Sequence, residues 1–105
     1  RETERINFDD YGVNIINKIR GLYSWPLANM EIDGIEYKIL NAEFEEKKIN
    51  SVSTIVEIDK NKFGISCKDG VIYITDIKPF GKKAMDIKSF LNGINKEDYK
   101  NRKVN

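Results

Sequence analysis

Histidine is missing from all 105 residues, and that absence narrows the chemistry more than any residue present. Histidine is the usual acid–base group near neutral pH and the commonest metal ligand. Without it, Ser24, Ser51, Ser53, Ser66 and Ser89 have no imidazole to activate them, which excludes the usual serine triad. Cysteine is nearly absent as well. Cys67 alone rules out an internal disulfide or a zinc cluster and suits a reducing cytoplasm. Its alternation with Ile65 marks a buried strand position, so it reads as a core thiol. Glycine-rich dinucleotide and phosphate-loop signatures are also lacking. No apolar run approaches the ~20 residues a membrane span needs, and the polar start has no signal-peptide stretch. The adjacent carboxylates Asp9-Asp10 and Glu45-Glu46 read as capping or solvated groups. The chain by itself is therefore expected to be a cytoplasmic, non-catalytic, metal-free domain that touches no membrane.

What is present is one domain's worth of chain, 40% apolar and one-third charged. The formal net charge of +1 conceals an asymmetry. Residues 1–77 hold 10 Lys+Arg against 14 Asp+Glu, whereas residues 78–105 hold 8 against 3. The basic part comprises Lys78, Lys82, Lys83, Lys88, Lys96, Lys100, Arg102 and Lys103. Segregated positive charge hints at a polyanionic partner, although lysines on short helices are often simply solvated.

Along the chain, Ile6 and Phe8 are expected to anchor an incoming segment. Asp9 or Asp10 can cap a helix carrying Val13, Ile15, Ile16 and Ile19, with Gly21 as its stop. Asp33-Gly34 suits a type I′ hairpin turn. Ile35, Tyr37 and Ile39 share one face, but Leu40, Ala42 and Phe44 have the opposite parity, which predicts a bulge. A polar loop over Glu45–Asn50 leads to a strand with Ile55 and Ile58, closed by Asp59-Lys60-Asn61. Phe63, Ile65 and Cys67, then Ile72 and Ile74, form two more strands around the Lys68-Asp69-Gly70 turn. Asp86 can cap a short helix with Ile87, Phe90 and Leu91, ending at Gly93. The remaining polar residues read as a lightly held tail. Short strands at near-regular intervals predict a mainly β fold, a small open barrel of five or six strands with a helix at each end. The aromatics fall mostly at core positions, without the aromatic–basic interleaving that reads single-stranded bases. Any RNA contact is expected to be lysine or arginine to phosphate.

The segment Pro79-Phe80-Gly81-Lys82-Lys83-Ala84-Met85 resembles the Pro-x-Gly-Lys-Lys-x-Met stretch in the C-terminal domain of methionyl-tRNA formyltransferases. Further matches follow in order along the chain. Arg5-Ile6-Asn7-Phe8 is similar to that family's Arg-Ile-Asp-Trp, and Ile19-Arg20-Gly21-Leu22 with Trp25-Pro26 to its Ile-Arg-Ala/Gly-x-Asn-Pro-Trp-Pro. Lys38-Ile39-Leu40-Asn41-Ala42, Cys67-Lys68-Asp69-Gly70 and Asn101-Arg102-Lys103-Val104 also have counterparts. Ser24, Lys68 and Lys78 depart from the pattern, where Pro, Gly and Gln are common.

The resemblance implies an OB-like barrel that helps hold initiator tRNA. Catalysis would lie in a separate N-terminal domain using 10-formyltetrahydrofolate. By motif match, Lys82, Lys83 and Arg102 would contact tRNA, with Lys38 and Lys103 behind them. Ile6, Phe8, Arg20 and Trp25 would pack against the catalytic domain. On this reading residues 1–27 form the linker and helix, 28–78 the barrel, and 79–105 the basic loop, short helix and tail. A monomer is expected. The alternatives are a packing module of a related sugar-nucleotide formyltransferase, or a free-standing OB-type nucleic-acid-binding protein.

Overall fold

The computed structural model describes residues 4–23 and 25–105, so Ser24 lies outside the described residues. Helix α1 spans Gly12–Leu22 and is followed by β1 (Ala28–Ile32), β2 (Ile35–Glu46), β3 (Ile55–Ile58), β4 (Phe63–Cys67) and β5 (Gly70–Pro79). A two-residue strand β6 (Met85–Asp86) leads into α2 (Ile87–Asn92), and a 3-10 turn covers Lys96–Asp98. The six strands form one antiparallel sheet in the order β1-β2-β5-β4-β3, with β6 beside β5. No pairing joins β1 to β3, so the sheet is open.

Local chemistry accounts for most of these elements. Asp33 (φ 52°) and Gly34 (φ 81°) both take left-handed backbone angles, and Ile32 pairs with Ile35 across the turn. The parity change in β2 is a bulge: the register against β5 shifts on both sides of Asn41. This long strand, which runs on through Glu45 and Glu46, therefore bends and keeps Tyr37, Ile39 and Ala42 all facing the core. Asp59 Oδ1 accepts from the N–H groups of Asn61 and Lys62, each at 2.7 Å, and fixes the β3–β4 turn.

Helix α1 buries Ile15, Ile16 and Ile19 against the sheet, each worth roughly 1.5–3 kcal/mol when fully withdrawn from water. Val13, expected in that stripe, is exposed instead. Gly12 lies flat on the Phe44 ring, where a Cβ would come within 2.2 Å. The helix cap also differs from expectation. Tyr11 is the cap residue and offers no side-chain bond; Asp69, from the β4–β5 turn, accepts from the Gly12 N–H at 2.8 Å. Asp10 supports the approach by accepting from Tyr11 N–H and Asn14 Nδ2, bonds that hold its carboxyl below the usual range. The stop comes one residue late, after Leu22, with Gly21 inside the last turn.

Ile6 and Phe8 are 2% and 1% exposed, inside this domain's own core. The chain there runs beside β1, with Ile6 N–H donating to Asn29 O at 2.9 Å and Asn29 N–H to Glu4 O at 2.9 Å. They anchor the incoming segment as expected, and with so little surface left they cannot be the packing surface for another domain. Cys67 is buried, which pushes its thiol pKa up. Tyr37, Phe63, Phe90 and Tyr99 pack edge to face with ring centroids 5.9–6.4 Å apart and plug the α2 end of the core.

The last five residues are not a loose tail. Asn101 and Arg102 exchange backbone hydrogen bonds with Ile55, each at 2.9 Å, and Val104 N–H donates to Ser53 O at 2.8 Å. Asn105 then exchanges two bonds with Glu31 of β1, at 2.7 and 2.9 Å. The segment thus runs from the outer edge of β3 to the outer edge of β1, beyond the place where residues 4–6 pair with Asn29, and Val104, 3% exposed, fills the core between them. No helix among the described residues is long and apolar enough to cross a membrane.

Candidate nucleic-acid interface

Strand β5 ends at buried Pro79, and the chain turns through Phe80 and Gly81. Gly81 has φ +75°, and Lys82 N–H donates to Pro79 O at 3.0 Å to close the turn. The turn leaves Lys82 and Lys83 exposed together. Asp86 then caps α2 by accepting from Ser89 N–H at 2.9 Å, which lowers its carboxyl pKa and fixes the far side of the loop.

Behind the loop, Lys38 of β2 and Lys78 of β5 are direct cross-strand partners. Their neighbours Tyr37, Ile39, Ile77 and Pro79 point inward, so both lysines lie on the outer face. Like charges placed opposite one another are destabilising. Neither ammonium has an ion pair or hydrogen bond within the described chain. The row continues across β1, where Asn29 pairs with Lys38 and its side chain accepts from Arg5 Nε. Arg5 also meets Glu31 at 3.9 Å. Glu31 and Glu36 form an acidic cross-strand pair one step along the same face, which bounds the basic row on that side.

Arg102 and Lys103 stand elsewhere. Arg102 Nη1 lies 3.5 Å from Asp33 Oδ1, and its Nε donates to Asp98 O at 3.0 Å, so it braces the hairpin tip against the closing segment. Lys103 is exposed beside Thr54 on the β3 edge. The structure therefore pairs Lys38 with Lys78 on the outer face of the sheet and sets Lys82 and Lys83 on the turn that follows Lys78, a position where the family pattern has Gln. It separates off Lys103 and gives Arg102 internal partners.

A groove of about 590 Å³ runs between the end of α1 and the root of the loop, lined by Arg20, Tyr23, Leu40, Asn41, Asp76 and Met85 among others. Tyr23, which lines it, and Trp25, two residues further along the chain, are 61% and 86% exposed. On the opposite sheet region, Tyr73 reaches across Gly64 to donate to Glu57 at 2.7 Å and to accept from Lys47 Nζ at 2.9 Å. Lys47 and Lys62 lie over its ring. That network pairs its lysines with Glu57.

The family model for the formyl transferase C-terminal domain matches residues 1–95. The chain belongs to that family. Methionyl-tRNA formyltransferase of Listeria innocua is 39% identical to this formyl transferase C-terminal domain over 94 residues, covering 89% of the chain and 30% of the relative. The enzyme of the same name from Streptococcus agalactiae serotype III is 34% identical over 93 residues, with the same coverage of each. The domain thus spans 30% of the length of these curated relatives. Among solved structures, HypX from Aquifex aeolicus in complex with tetrahydrofolic acid shares the fold, with a TM-score of 0.71 and 20% identity over 88% of this chain and 17% of HypX.

Proposed function

We propose that this domain is the tRNA-holding accessory part of a methionyl-tRNA formyltransferase. The observation that carries the reading is the pair of exposed, internally unpartnered lysines Lys82 and Lys83, on the turn that follows the like-charged Lys38–Lys78 pair in the chain. Like charges set opposite one another without an internal ion pair are favourably neutralised by an external polyanion, and a phosphate backbone supplies one. Kinship with methionyl-tRNA formyltransferases supports tRNA as that polyanion. In this reading the domain is an OB-like open barrel in a cytoplasmic enzyme of translation initiation. Phosphate contacts set the register of the tRNA, and discrimination of the initiator belongs to the catalytic half.

The formyl donor, 10-formyltetrahydrofolate, would be held by that other half. Among the described residues no buried side-chain N or O atom lacks a partner, so no orphaned group here points to a pteridine site. The domain's own residues carry no step of formyl transfer in this account; they bind and orient. Trp25, Tyr23 and Arg20 support a second role alongside the first, as the seat for the catalytic half.

Binding of the chain to initiator and elongator methionine tRNAs at low and near-physiological salt tests the reading. Weak, similar binding to both is expected, with a log–log salt slope of about −2 to −4, corresponding to roughly three to five phosphate contacts. No binding even at low salt would make these lysines ordinary surface charge.

A further inference from the structure

Phe80 is 74% exposed, although large apolar side chains are normally withdrawn from water. It stands at the tip of the tight turn that Pro79 anchors and Gly81 permits, so the backbone presents the side chain to solvent. Lys78 precedes it, and Lys82 and Lys83 follow. Under the ring lies an apolar groove of about 350 Å³, lined by Ile35, Tyr37, Phe80, Phe90 and Tyr99 among others, with Lys82 as its cation. That volume sits at the lower end of the roughly 300–1,000 Å³ of small-molecule sites. An exposed aromatic ring on a fixed turn, with lysines before and after it in the chain, matches one ligand chemistry well: a flat base joined to phosphates on both sides.

We infer that Phe80 is a stacking platform for one unpaired base of a bound RNA, with Lys82 and Lys83 holding the adjoining phosphates. The inference rests on the RNA-binding reading above and adds to it a contact the sequence pattern did not promise. Stacking tolerates any base, because each presents a π face, so the platform favours unpaired nucleotides over a duplex without choosing among sequences. An apolar protein segment docked there would satisfy the ring but leave three lysines without counter-charge.

The test measures binding of the chain to an eight-nucleotide oligoadenylate and to a fully paired RNA duplex across a salt series. Phe80→Ala should weaken oligoadenylate binding by roughly 5- to 150-fold with the salt slope unchanged, because stacking releases no counterions. Phe80→Tyr should bind like the unaltered chain. Lys82→Ala should instead flatten the slope by about one unit. Thermal melts of each variant establish that the fold is intact. Oligoadenylate binding unchanged by Phe80→Ala, or fully preserved by Phe80→Leu, would overturn the platform while leaving the phosphate contacts standing. Tighter binding to the duplex than to the single strand would also overturn it. Failure of the unaltered chain to bind either RNA would overturn the RNA-binding reading itself.

Discussion

The closing segment 101–105 and the loop 79–84 are both basic, surface-running stretches, yet they use their polar groups in opposite ways. The closing segment spends its backbone inward. It exchanges hydrogen bonds with Ile55, Ser53 and Glu31, buries Val104, and ties its Arg102 to Asp33 and to the Asp98 carbonyl. The loop has the bond from Lys82 N–H to Pro79 O to shape it, and it turns Phe80, Lys82 and Lys83 toward solvent. A lysine-rich stretch is therefore not a binding surface by composition alone. It becomes one where the fold leaves its charges without internal partners.

Removing residues 101–105 should have the largest effect. It strips the outer edge of β3 and the β1 bonds at Glu31 and opens the core at Val104, so stability should fall by several kcal/mol in urea unfolding. The newly unpaired β3 edge should then promote association, visible by size-exclusion chromatography. Retained stability would erase the distinction between the two stretches.

Reversal of Lys82 and Lys83 to Glu comes next. Affinity for tRNA should drop by about 10- to 100-fold at low salt while the melting temperature holds. Lys78→Glu sharpens the comparison further because its two effects have opposite signs. An ion pair with Lys38 should replace the repulsion and stabilise the domain by roughly 0.2–1 kcal/mol, while tRNA binding weakens. A gain in both, or a loss in both, would contradict the role given to this pair.

The smallest effect is with pH. Hydrogen bonds from Asn14 and Tyr11, from Asn61 and Lys62, and from Ser89 lower the carboxyl pKa values of Asp10, Asp59 and Asp86. A depressed folded-state pKa contributes stability that is fully present above the ordinary carboxylate value and lost as pH falls through the folded one. Melting curves should therefore be flat near neutrality and decline below about pH 4. Asp86→Asn should soften that decline slightly.

Features written in adjacent residues were legible in the sequence. Asp33-Gly34, the parity switch around Asn41, the Asp59 turn and the Asp86 cap each depend on a few neighbours, and each formed as read. Features that depend on distant segments were not. Asp69 caps α1 from 57 residues away. The polar stretch at the end looked solvated because its stabilising bonds are to backbone, which leaves no mark in side-chain pattern. In the sequence Ile6 and Phe8 suit both an anchor and an outer packing surface, and burial leaves only the first. At the candidate interface, the Gly81-Lys82-Lys83 segment was legible from its motif. The Lys38–Lys78 pairing required the register, and the exposure of Phe80 required the turn.

Amide chemical-shift mapping of the isotope-labelled chain during titration with tRNA tests the central claim most directly, because it reads both stretches at once. Perturbations should concentrate at Lys38, Lys78 and Phe80 to Lys83, and leave Asn101 to Asn105 nearly unmoved. Shifts centred on the closing segment, or on Arg20 and Trp25 with the loop silent, would contradict the assignment of the loop as the RNA-binding surface.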